Sequence, residues 1–380
     1  MNRARIPALL LALFLLLPLS VTAEAPRKGD LNADGKIDAF DYQLLKAFVL
    51  GTYPHPVNGD LDGSGRTDSF DYQLLKAHVL GTYDLQKQRS VPKNDAERFA
   101  FLSSLTGNGL FCDLHTAELS KKQQQALLDL TAYLTATDYG VICCDLSLNH
   151  LLCYGCDRVF PTASTAKLPF VKYLCTLADS GEIDLSEMLR YEEALFSPGS
   201  GIVQENPFGT CFTLRTLMDY AIRHSDNTAY KMLIDRFHTK AYKQYLKDLG
   251  STYKPTGNGY GFFTAPQIAA LLFDVAVYDG EHAHLLKDAG CHSSYDLQIP
   301  YALKGKTVLH KYGALTVDPP DPDSGEEPVE QPGTTAYHDI AIVYGEHPYL
   351  LVILTSINTN DRDRNIPFRK IAGWCDILFG

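Results

Sequence analysis

The sequence lacks a second long hydrophobic run, an excess of basic residues and an ordered set of cysteines. No apolar run after residue 19 reaches the 18 or so residues that a transmembrane helix needs, so membrane insertion is not predicted. The sequence has 34 lysine and arginine residues and 45 acidic residues. Such an acidic protein is poorly suited to bind nucleic acid. The nine cysteines are odd in number and scattered, which predicts at least one unpaired thiol and no disulfide scaffold.

The first residues have the features of an export signal. Arg3 and Arg5 precede an apolar run from Ile6 to Leu19, and the small residues of 21–23 precede a cleavage point. The run is about 14 residues long, which is too short to cross a bilayer comfortably. We therefore expect residues 1–23 to be a cleaved signal peptide, which predicts a secreted, extracellular protein.

Length and composition indicate two domains after this leader. The chain has 380 residues, of which 45% are hydrophobic and 21% charged, as in ordinary globular proteins. Residues 85–96 are polar and include Pro92, so we interpret them as a linker. The expected organisation is a small module over 28–84, the linker, and a larger domain over 97–380.

A repeat with a period of 30 residues occupies the small module. Residues 29–53 match residues 59–83, and from Tyr42 and Tyr72 onward the two copies differ only at Phe48 and His78. Each copy has oxygen-bearing side chains at loop positions 1, 3, 5, 9 and 12, with glycine at position 6. Two ordered sets of this kind at one period are not typical of a plain acidic surface loop.

Calcium explains this pattern, because the ion prefers six to eight oxygen ligands and a short loop around it needs a sharp turn. Gly35 and Gly65 permit that turn. The predicted ligands of two calcium ions are the side chains of Asp30, Asn32, Asp34, Asp38 and Asp41 with the carbonyl of Lys36, and those of Asp60, Asp62, Ser64, Asp68 and Asp71 with the carbonyl of Arg66.

One helix is predicted after each loop, over 42–49 and 72–79, and none before it, so each copy is half of an EF-hand. With these motifs, residues 28–84 resemble a type I dockerin, a small all-α module. The resemblance implies a cohesin module of a scaffoldin as partner, and therefore a place in a cellulosome. It also implies six residues that contact the cohesin, namely Ala39, Phe40, Lys46, Ser69, Phe70 and Lys76.

The larger domain has strands predicted at both ends and helices between them. The expected strands lie near 139–145, 151–154, 307–310, 337–344 and 348–356, and the expected helices near 121–134, 166–178, 213–224, 226–236, 239–249, 265–276 and after Pro367. This order predicts one antiparallel sheet flanked by helices, an α/β (α+β) domain. Residues 319–333 are rich in proline and glutamate and are predicted to be a loop.

The first of three short motifs in this domain is Ser164-Thr-Ala-Lys167, which opens a predicted helix. Residues i and i+3 share a helix face, so the lysine amine is expected beside the serine hydroxyl, where it can accept the hydroxyl proton. The same spacing occurs from Ser90 to Lys93 and from Ser251 to Lys254. Those segments have proline inside or just after them and open no helix.

The other two motifs are Ser225-Asp226-Asn227, at a predicted break between helices, and Lys311-Tyr312-Gly313, on a predicted strand. Taken singly, a helix N-cap and an edge-strand lysine would explain them. Together and in this order, the three motifs resemble those of the class A β-lactamase and penicillin-binding protein superfamily. The resemblance extends from about residue 121 to the C-terminus.

This resemblance implies a role for each motif residue. Ser164 is the nucleophile that becomes acylated, and Lys167 activates it. Ser225 relays a proton to the leaving group, and Asn227 holds Lys167 and a substrate amide. No cofactor is implied for this domain.

On the substrate side, the resemblance implies that Lys311 attracts a carboxylate and that the backbone N–H groups of Ser164 and Ala314 form an oxyanion hole. Tyr312 and Gly313 complete the substrate-binding strand. The family normally has Thr or Ser where this chain has Tyr312, whose hydroxyl lies further from the backbone. Recognition of a carboxylate therefore stays open.

A second departure concerns deacylation. Class A enzymes carry a Glu-x-x-Leu-Asn stretch whose glutamate activates the deacylating water. The corresponding residues 249–261 contain no Glu or Asp. We therefore expect a long-lived acyl-enzyme, in which a labelled penicillin that binds stays attached to Ser164.

The leading hypothesis is thus a serine acyl-transfer hydrolase, carried to a cellulosome, that acts on an amide or ester such as a peptide or a β-lactam. Two alternatives stay open. One is a catalytically inactive binding module that uses the same cleft. The other is an esterase that acts on acylated plant polysaccharide.

Overall fold

The computed structural model describes residues 27–54, 58–61, 67, 69–79, 91–114, 119–316 and 335–380. Several predicted features lie outside the described residues: the signal peptide 1–23, residues 62–66 and 68 of the second calcium loop, residues 85–90 of the linker and the loop 319–333. The side chains of Ser69 and Phe70 are also outside them.

The small module contains two helices, α1 (Ala39–Val49) and α2 (Ser69–Val79). Both begin three residues earlier than predicted. In α1 the reason is a capping box, in which the Asp38 side chain accepts a hydrogen bond from a backbone N–H of the first turn and Asp41 reaches back to the backbone of Asp38. The last residues of the calcium loop are therefore already helical.

Equivalent residues of the two repeats meet in the core of this module. Leu45 and Leu75 are completely buried, and the rings of Tyr42 and Tyr72 stack with their centroids 4.8 Å apart. The two tyrosine hydroxyls are hydrogen-bonded to each other. The 30-residue repeat is thus also a repeat in space.

The larger domain contains the remaining helices and all the strands of the described chain. Its helices are α3 (Asp95–Ser103), α4 (Lys121–Leu134), α5 (Lys167–Asp179), α6 (Leu214–Arg223), α7 (Asn227–Phe237), α8 (Lys240–Asp248), α9 (Ala265–Ala276), α10 (Ala283–Cys291), α11 (Ile299–Ala302) and α12 (Ile366–Phe379). Its strands are β1 (Phe111–Cys112), β2 (Gly140–Asp145), β3 (Leu151–Tyr154), β4 (Val159–Pro161), β5 (Met188–Arg190), β6 (Cys211–Thr213), β7 (Phe262–Thr264), β8 (Thr307–Thr316), β9 (Thr335–Tyr344) and β10 (Tyr349–Thr355).

Six strands form one antiparallel sheet in the order β1-β3-β2-β10-β9-β8. The N-terminal and C-terminal strands of the domain therefore share one sheet, as predicted. Two pairs, β4–β7 and β5–β6, form small separate ribbons. Strand β8 lies at one edge of the large sheet, and this edge carries the predicted Lys-Tyr-Gly motif.

Helices cover both faces of the sheet. Side chains that alternate along β2 enter different cores: Ile142 and Cys144 pack with residues of α5, α6 and α9, whereas Val141 and Cys143 pack with residues of α4 and α12. Strand β10 is buried at every position, which explains why it is an unbroken apolar run rather than an alternating one. The domain is thus an antiparallel sheet flanked by helices.

Several observed elements differ from the predicted ones. Strand β8 was expected near 307–310 but continues to Thr316, because β9 pairs with it along its whole length. Helices α3, α10 and α11 and the short strands β1, β4, β5, β6 and β7 were not predicted. Helix α3 begins at Asp95, so it occupies the last two residues of the linker expected over 85–96. Within the described residues, no helix is long and apolar enough to span a bilayer.

Candidate functional site

The nucleophile motif lies on a single turn of 3-10 helix, Ala163–Ala166, that leads directly into α5 at Lys167. In a 3-10 helix residues i and i+3 are aligned along the axis, so Ser164 and Lys167 lie on one face. Ala163 has a φ of +43°, a backbone conformation that residues with a Cβ rarely adopt. Ser164 is half-buried, and Lys167 is completely buried.

The amine of Lys167 is held by two oxygen atoms. Its Nζ donates to the carbonyl oxygen of Ser225 at 2.6 Å and to Oδ1 of Asn227 at 2.7 Å. Burial lowers the pKa of Lys167 to about 7, and the charge of Asp226 opposes this shift. A neutral amine has two N–H groups and one lone pair, and both N–H groups are used here. The lone pair is then available to accept a proton.

A second buried lysine, Lys311, contacts the same serine from β8. Its Nζ donates to Oγ of Ser225 at 2.8 Å and to the carbonyl oxygen of Tyr312 at 2.9 Å. Burial, together with the neighbouring charge of Lys167, lowers the pKa of Lys311 well below its usual value. Ser225, with a φ of +51°, thus lies between two amines, one on its carbonyl and one on its hydroxyl.

Asp226 fixes the break between α6 and α7. As the N-cap of α7 its Oδ1 accepts a hydrogen bond from the backbone N–H of Ala229 at 2.8 Å. Its Oδ2 accepts from the backbone N–H groups of Ile202 and Val203 at 2.7 and 2.8 Å. The Asp226 side chain is completely buried. The Ser-Asp-Asn motif therefore both caps α7, as expected, and forms part of the site.

Two glycines let the loop before Ile202 approach this break closely. Gly201 has a φ of +125°, and a Cβ there would clash with Asp226; Gly199 has a φ of +109°, and a Cβ there would lie 2.7 Å from Nδ2 of Asn227. That Nδ2 donates to the carbonyl oxygen of Pro198 at 2.8 Å. The loop therefore orients the amide so that its oxygen faces Lys167.

Strand β8 packs directly on the nucleophile turn. A Cβ at Gly313 would lie 3.1 Å from the backbone nitrogen of Ser164 and 3.1 Å from side-chain carbons of Ala163 and Thr165. Only glycine allows this approach without a shift. The next residue, Ala314, is exposed on the edge of the sheet. The two backbone segments expected to form an oxyanion hole are therefore adjacent.

Tyr312 lies beside these groups. Its ring centroid is 4.5 Å from Nζ of Lys311 and 4.6 Å from the ring of Tyr295. Burial raises the pKa of the Tyr312 phenol, and Ser200, Ser225 and Tyr295 lie close enough to its hydroxyl to affect it. Sequence reasoning missed Tyr295, because no local motif marks a residue that reaches the site only through tertiary packing.

The segment 249–261, where class A enzymes carry their glutamate, presents aromatic rings on this side of the site. The hydroxyl of Tyr230 donates to the carbonyl oxygen of Gly259 at 3.0 Å, and the ring of Tyr260 lies 5.2 Å from the ring of Tyr230. The Tyr230 ring is in turn 5.7 Å from Nζ of Lys167. The surroundings of Lys167 on this side are thus aromatic.

The small module carries the second group of predicted site residues. In the first calcium loop Oδ1 of Asp30 accepts from the backbone N–H of Asp34 at 3.1 Å, and Oδ2 accepts from that of Gly35 at 2.9 Å. Oδ1 of Asn32 accepts from the same N–H of Asp34 at 3.0 Å. Gly35 provides the predicted sharp turn with a φ of +83°. These side-chain oxygens point into the loop, and an all-oxygen set suits calcium.

Asp41 closes the first loop. It is completely buried, and its oxygens accept from the backbone N–H groups of Leu31 at 2.7 Å and Asp38 at 2.9 Å. The second repeat has the equivalent contact, from the backbone N–H of Leu61 to Asp71 at 2.6 Å. Among the described residues, no three His, Cys, Asp or Glu side chains are gathered closely enough to hold a metal ion.

The residues expected to contact a cohesin lie on the module surface where they are described. Ala39, Phe40 and Lys46 are exposed on α1, and Lys76 is exposed on α2. Phe40 is 73% exposed, the highest value among the exposed large apolar side chains of the described residues. Ala39 and Lys46 are two helical turns apart and share one face.

Sequence comparisons assign a family to each of the two parts. Residues 119–375 match the model of the family described as "Beta-lactamase enzyme family", and residues 28–80 match that of the "Dockerin type I domain". Beta-lactamase 3 of Bacillus cereus is 29% identical over 114 residues, which are 30% of this chain and 35% of that protein. The aligned part thus spans about a third of the length of that curated relative.

Several solved structures share the fold of the larger domain. PBP-A superposes with a TM-score of 0.55 at 21% identity, over 67% of this chain and 94% of PBP-A, and a mutant of PBP-A is known as an acyl-enzyme complex with penicillin G. An ancestral class A β-lactamase gives a TM-score of 0.56 at 20% identity, over 68% of this chain and all of the other. The β-lactamase of Sphaerobacter thermophilus gives 0.53 at 19%, over 67% and 95%.

Proposed function

The chain belongs to the β-lactamase enzyme family through residues 119–375, and from this we propose that its larger domain is an acyl-transfer hydrolase with Ser164 as nucleophile. The observation that carries the proposal is the environment of Lys167. Both of its N–H groups are engaged by Ser225 and Asn227, at 2.6 and 2.7 Å, while burial favours the neutral amine. Such an amine is a base that directly follows the turn carrying the serine.

Acylation would use these groups in sequence. Oγ of Ser164 bonds to the carbonyl carbon of an ester or amide while Lys167 takes the hydroxyl proton. The backbone N–H groups of Ser164 and Ala314 stabilise the oxyanion that develops. The bond to the leaving oxygen or nitrogen then breaks, and Ser225 gives that atom its hydroxyl proton. The proton on Lys167 then returns to Ser225, whose hydroxyl contacts Nζ of Lys311 and whose carbonyl oxygen contacts Nζ of Lys167.

The pH dependence of acylation follows from the pKa of Lys167, which is about 7. Below that pH the amine is protonated and cannot accept the serine proton, so the rate is expected to fall about tenfold per pH unit. Above it the rate should level off. Stopped-flow labelling with a fluorophosphonate from pH 5 to 9 measures this; a flat profile in the wild type, or an unchanged rise in Lys167→Ala, would contradict the assignment.

The dockerin domain implies a cohesin partner and an extracellular, cellulosome-associated protein. We extend this to a proposed organisation of signal peptide over 1–23, dockerin over 28–84, linker over 85–96 and hydrolase over 97–380. In this arrangement the small module delivers the hydrolase to a complex outside the cell. Ala39, Phe40, Lys46, Ser69, Phe70 and Lys76 are the proposed cohesin contacts.

Calcium binding by the small module is the second part of the proposal, since type I dockerins generally bind this ion. In the first loop Asp30, Asn32, Asp34, Asp38 and Asp41, with the carbonyl of Lys36, would hold one ion; in the second, the equivalent residues Asp60, Asp62, Ser64, Asp68 and Asp71, with the carbonyl of Arg66, would hold another. Calcium would neutralise the acidic loops and order them, because loops of so small a module depend on metal for their structure.

Removal of calcium is therefore expected to abolish binding to a cohesin. Isothermal titration of the full chain with a cohesin, in calcium and then in EDTA, measures this. Because the repeats are near-identical, Asp30→Ala alone should leave binding through the second half, whereas Asp30→Ala with Asp60→Ala should remove it. Binding of full strength in EDTA would refute the calcium requirement, and loss with the single variant would refute docking by either half.

A further inference from the structure

We propose that Tyr312 makes this active site selective for acyl donors that carry no carboxylate beside the scissile bond, such as neutral esters. The inference rests on the proposed role of Ser164 and adds the substrate class. Its basis is the way in which the Tyr312 side chain occupies the surroundings of Lys311, the cation expected to receive a carboxylate.

The amine of Lys311 has contacts on three sides. Two are hydrogen bonds, to Oγ of Ser225 at 2.8 Å and to the carbonyl oxygen of Tyr312 at 2.9 Å. The third is the ring of Tyr312, whose centroid is 4.5 Å from Nζ. The amine thus has two oxygen partners and one aromatic ring as its close contacts. A carboxylate that approaches it would have to displace the Tyr312 ring or one of the two hydrogen bonds.

Tyr312 is itself held in place by its neighbours. Its hydroxyl lies near Ser200 and Ser225, and its ring packs against that of Tyr295 with the centroids 4.6 Å apart. Ser200 also donates to the carbonyl oxygen of Ser225 at 2.8 Å, so both serines belong to the catalytic network. Swinging the tyrosine aside would break contacts with three residues, and a small Thr or Ser side chain at this position would make none of the ring contacts.

The electrostatic surroundings of Lys311 also disfavour a bound carboxylate. Lys311 is 1% exposed and lies beside a second buried amine, Lys167, and both features lower its pKa, so its positive form is less favoured than that of an exposed lysine. Binding a carboxylate here would require stripping water from the anion and moving Tyr312. A neutral ester needs none of these steps, because its carbonyl oxygen uses only backbone N–H groups.

The reaction with such an ester consumes only the ester and water. Oγ of Ser164 bonds to the acyl carbon, the bond from that carbon to the alcohol oxygen breaks, and the serine proton passes to Lys167. The hydroxyl proton of Ser225 goes to the leaving alkoxide. The proton on Lys167 then returns to Ser225, and water later releases the acid and restores the Ser164 hydroxyl.

A matched pair of probes tests the inference: a fluorescent penicillin, whose carboxylate lies beside the scissile amide nitrogen, and the methyl ester of the same compound. The wild-type protein is expected to be acylated by the ester at least about tenfold faster than by the acid. Tyr312→Thr should raise the rate with the acid about tenfold and change the rate with the ester about threefold at most. Tyr312→Phe, which keeps the ring, should still discriminate against the acid.

Tyr133→Thr, a truncation in α4 on the opposite face of the sheet, is the control and should leave the ratio of the two rates unchanged. Labelling of Ser164 by a fluorophosphonate reports an intact site in each variant. Equal rates with acid and ester in the wild type, or an unchanged ratio in Tyr312→Thr with fluorophosphonate labelling intact, would overturn this inference alone. A wild type that reacts with none of the three probes would overturn the proposed function as well.

Discussion

Replacing Ser164 with alanine is expected to lower the rate of acyl transfer by at least about a thousandfold, because no other group can form the covalent intermediate. Lys167→Ala should cost nearly as much, since the serine is a weak nucleophile without its base. The double variant should react about as slowly as the slower of the two single variants, because the two residues act as a unit. The burst rate with an activated ester such as p-nitrophenyl acetate measures all three.

The chain provides a matched control for these variants in Ser251 and Lys254, which have the same spacing. Oγ of Ser251 accepts a hydrogen bond from the backbone N–H of Tyr253 at 3.2 Å, and Lys254 is exposed. Ser251→Ala and Lys254→Ala should leave the burst unchanged. Losses that add up in the Ser164 and Lys167 double variant would show that the two residues act independently, contrary to the proposed mechanism.

Deacylation is expected to be slower than acylation by about a hundredfold or more, because a general base typically contributes 10²–10⁴-fold and segment 249–261 supplies no carboxylate for the attacking water. A neutral activated ester should therefore give a burst of about one equivalent of leaving group per site, followed by a slow steady state. A penicillin that does react should stay on Ser164. Burst amplitude at several enzyme concentrations measures this.

The reason lies in the groups around Lys167. Segment 249–261 has no Glu or Asp and contributes Tyr260 against Tyr230 on this side. The nearby carboxylate of Asp226 already accepts from three backbone N–H groups, those of Ala229, Ile202 and Val203. It caps a helix and holds a loop, so it is not free to activate water. Rapid turnover of nitrocefin without a burst would contradict this.

Much of the fold follows from local pattern. Helix α9 has the predicted bounds because its capping box, Thr264 with Gln267, marks the start and an apolar face fills the rest. The sheet built from both ends of the domain followed from the order of strands and helices. The length of β8 did not, because its second half is a strand only through pairing with β9.

Only the site residues that belong to the short sequence motifs could be predicted. Ser164 with Lys167, and Ser225 with Asn227, follow from short spacings that a turn or a helix start imposes. The contacts of Tyr312 with Tyr295 and Ser200 join three separate segments, so no spacing encodes them. The lowered pKa of Lys167 likewise depends on complete burial, which tertiary packing decides.

One particular hydroxyl in this cleft, that of Ser164, is proposed to become covalently modified, and peptide mass mapping after brief reaction with a fluorophosphonate can locate the modification. We expect one adduct per chain, on the peptide that contains Ser164, and no adduct in Ser164→Ala. An adduct on any other residue, or none in a chain that still binds cohesin, would contradict it, and the second result would identify the larger domain as a binding module.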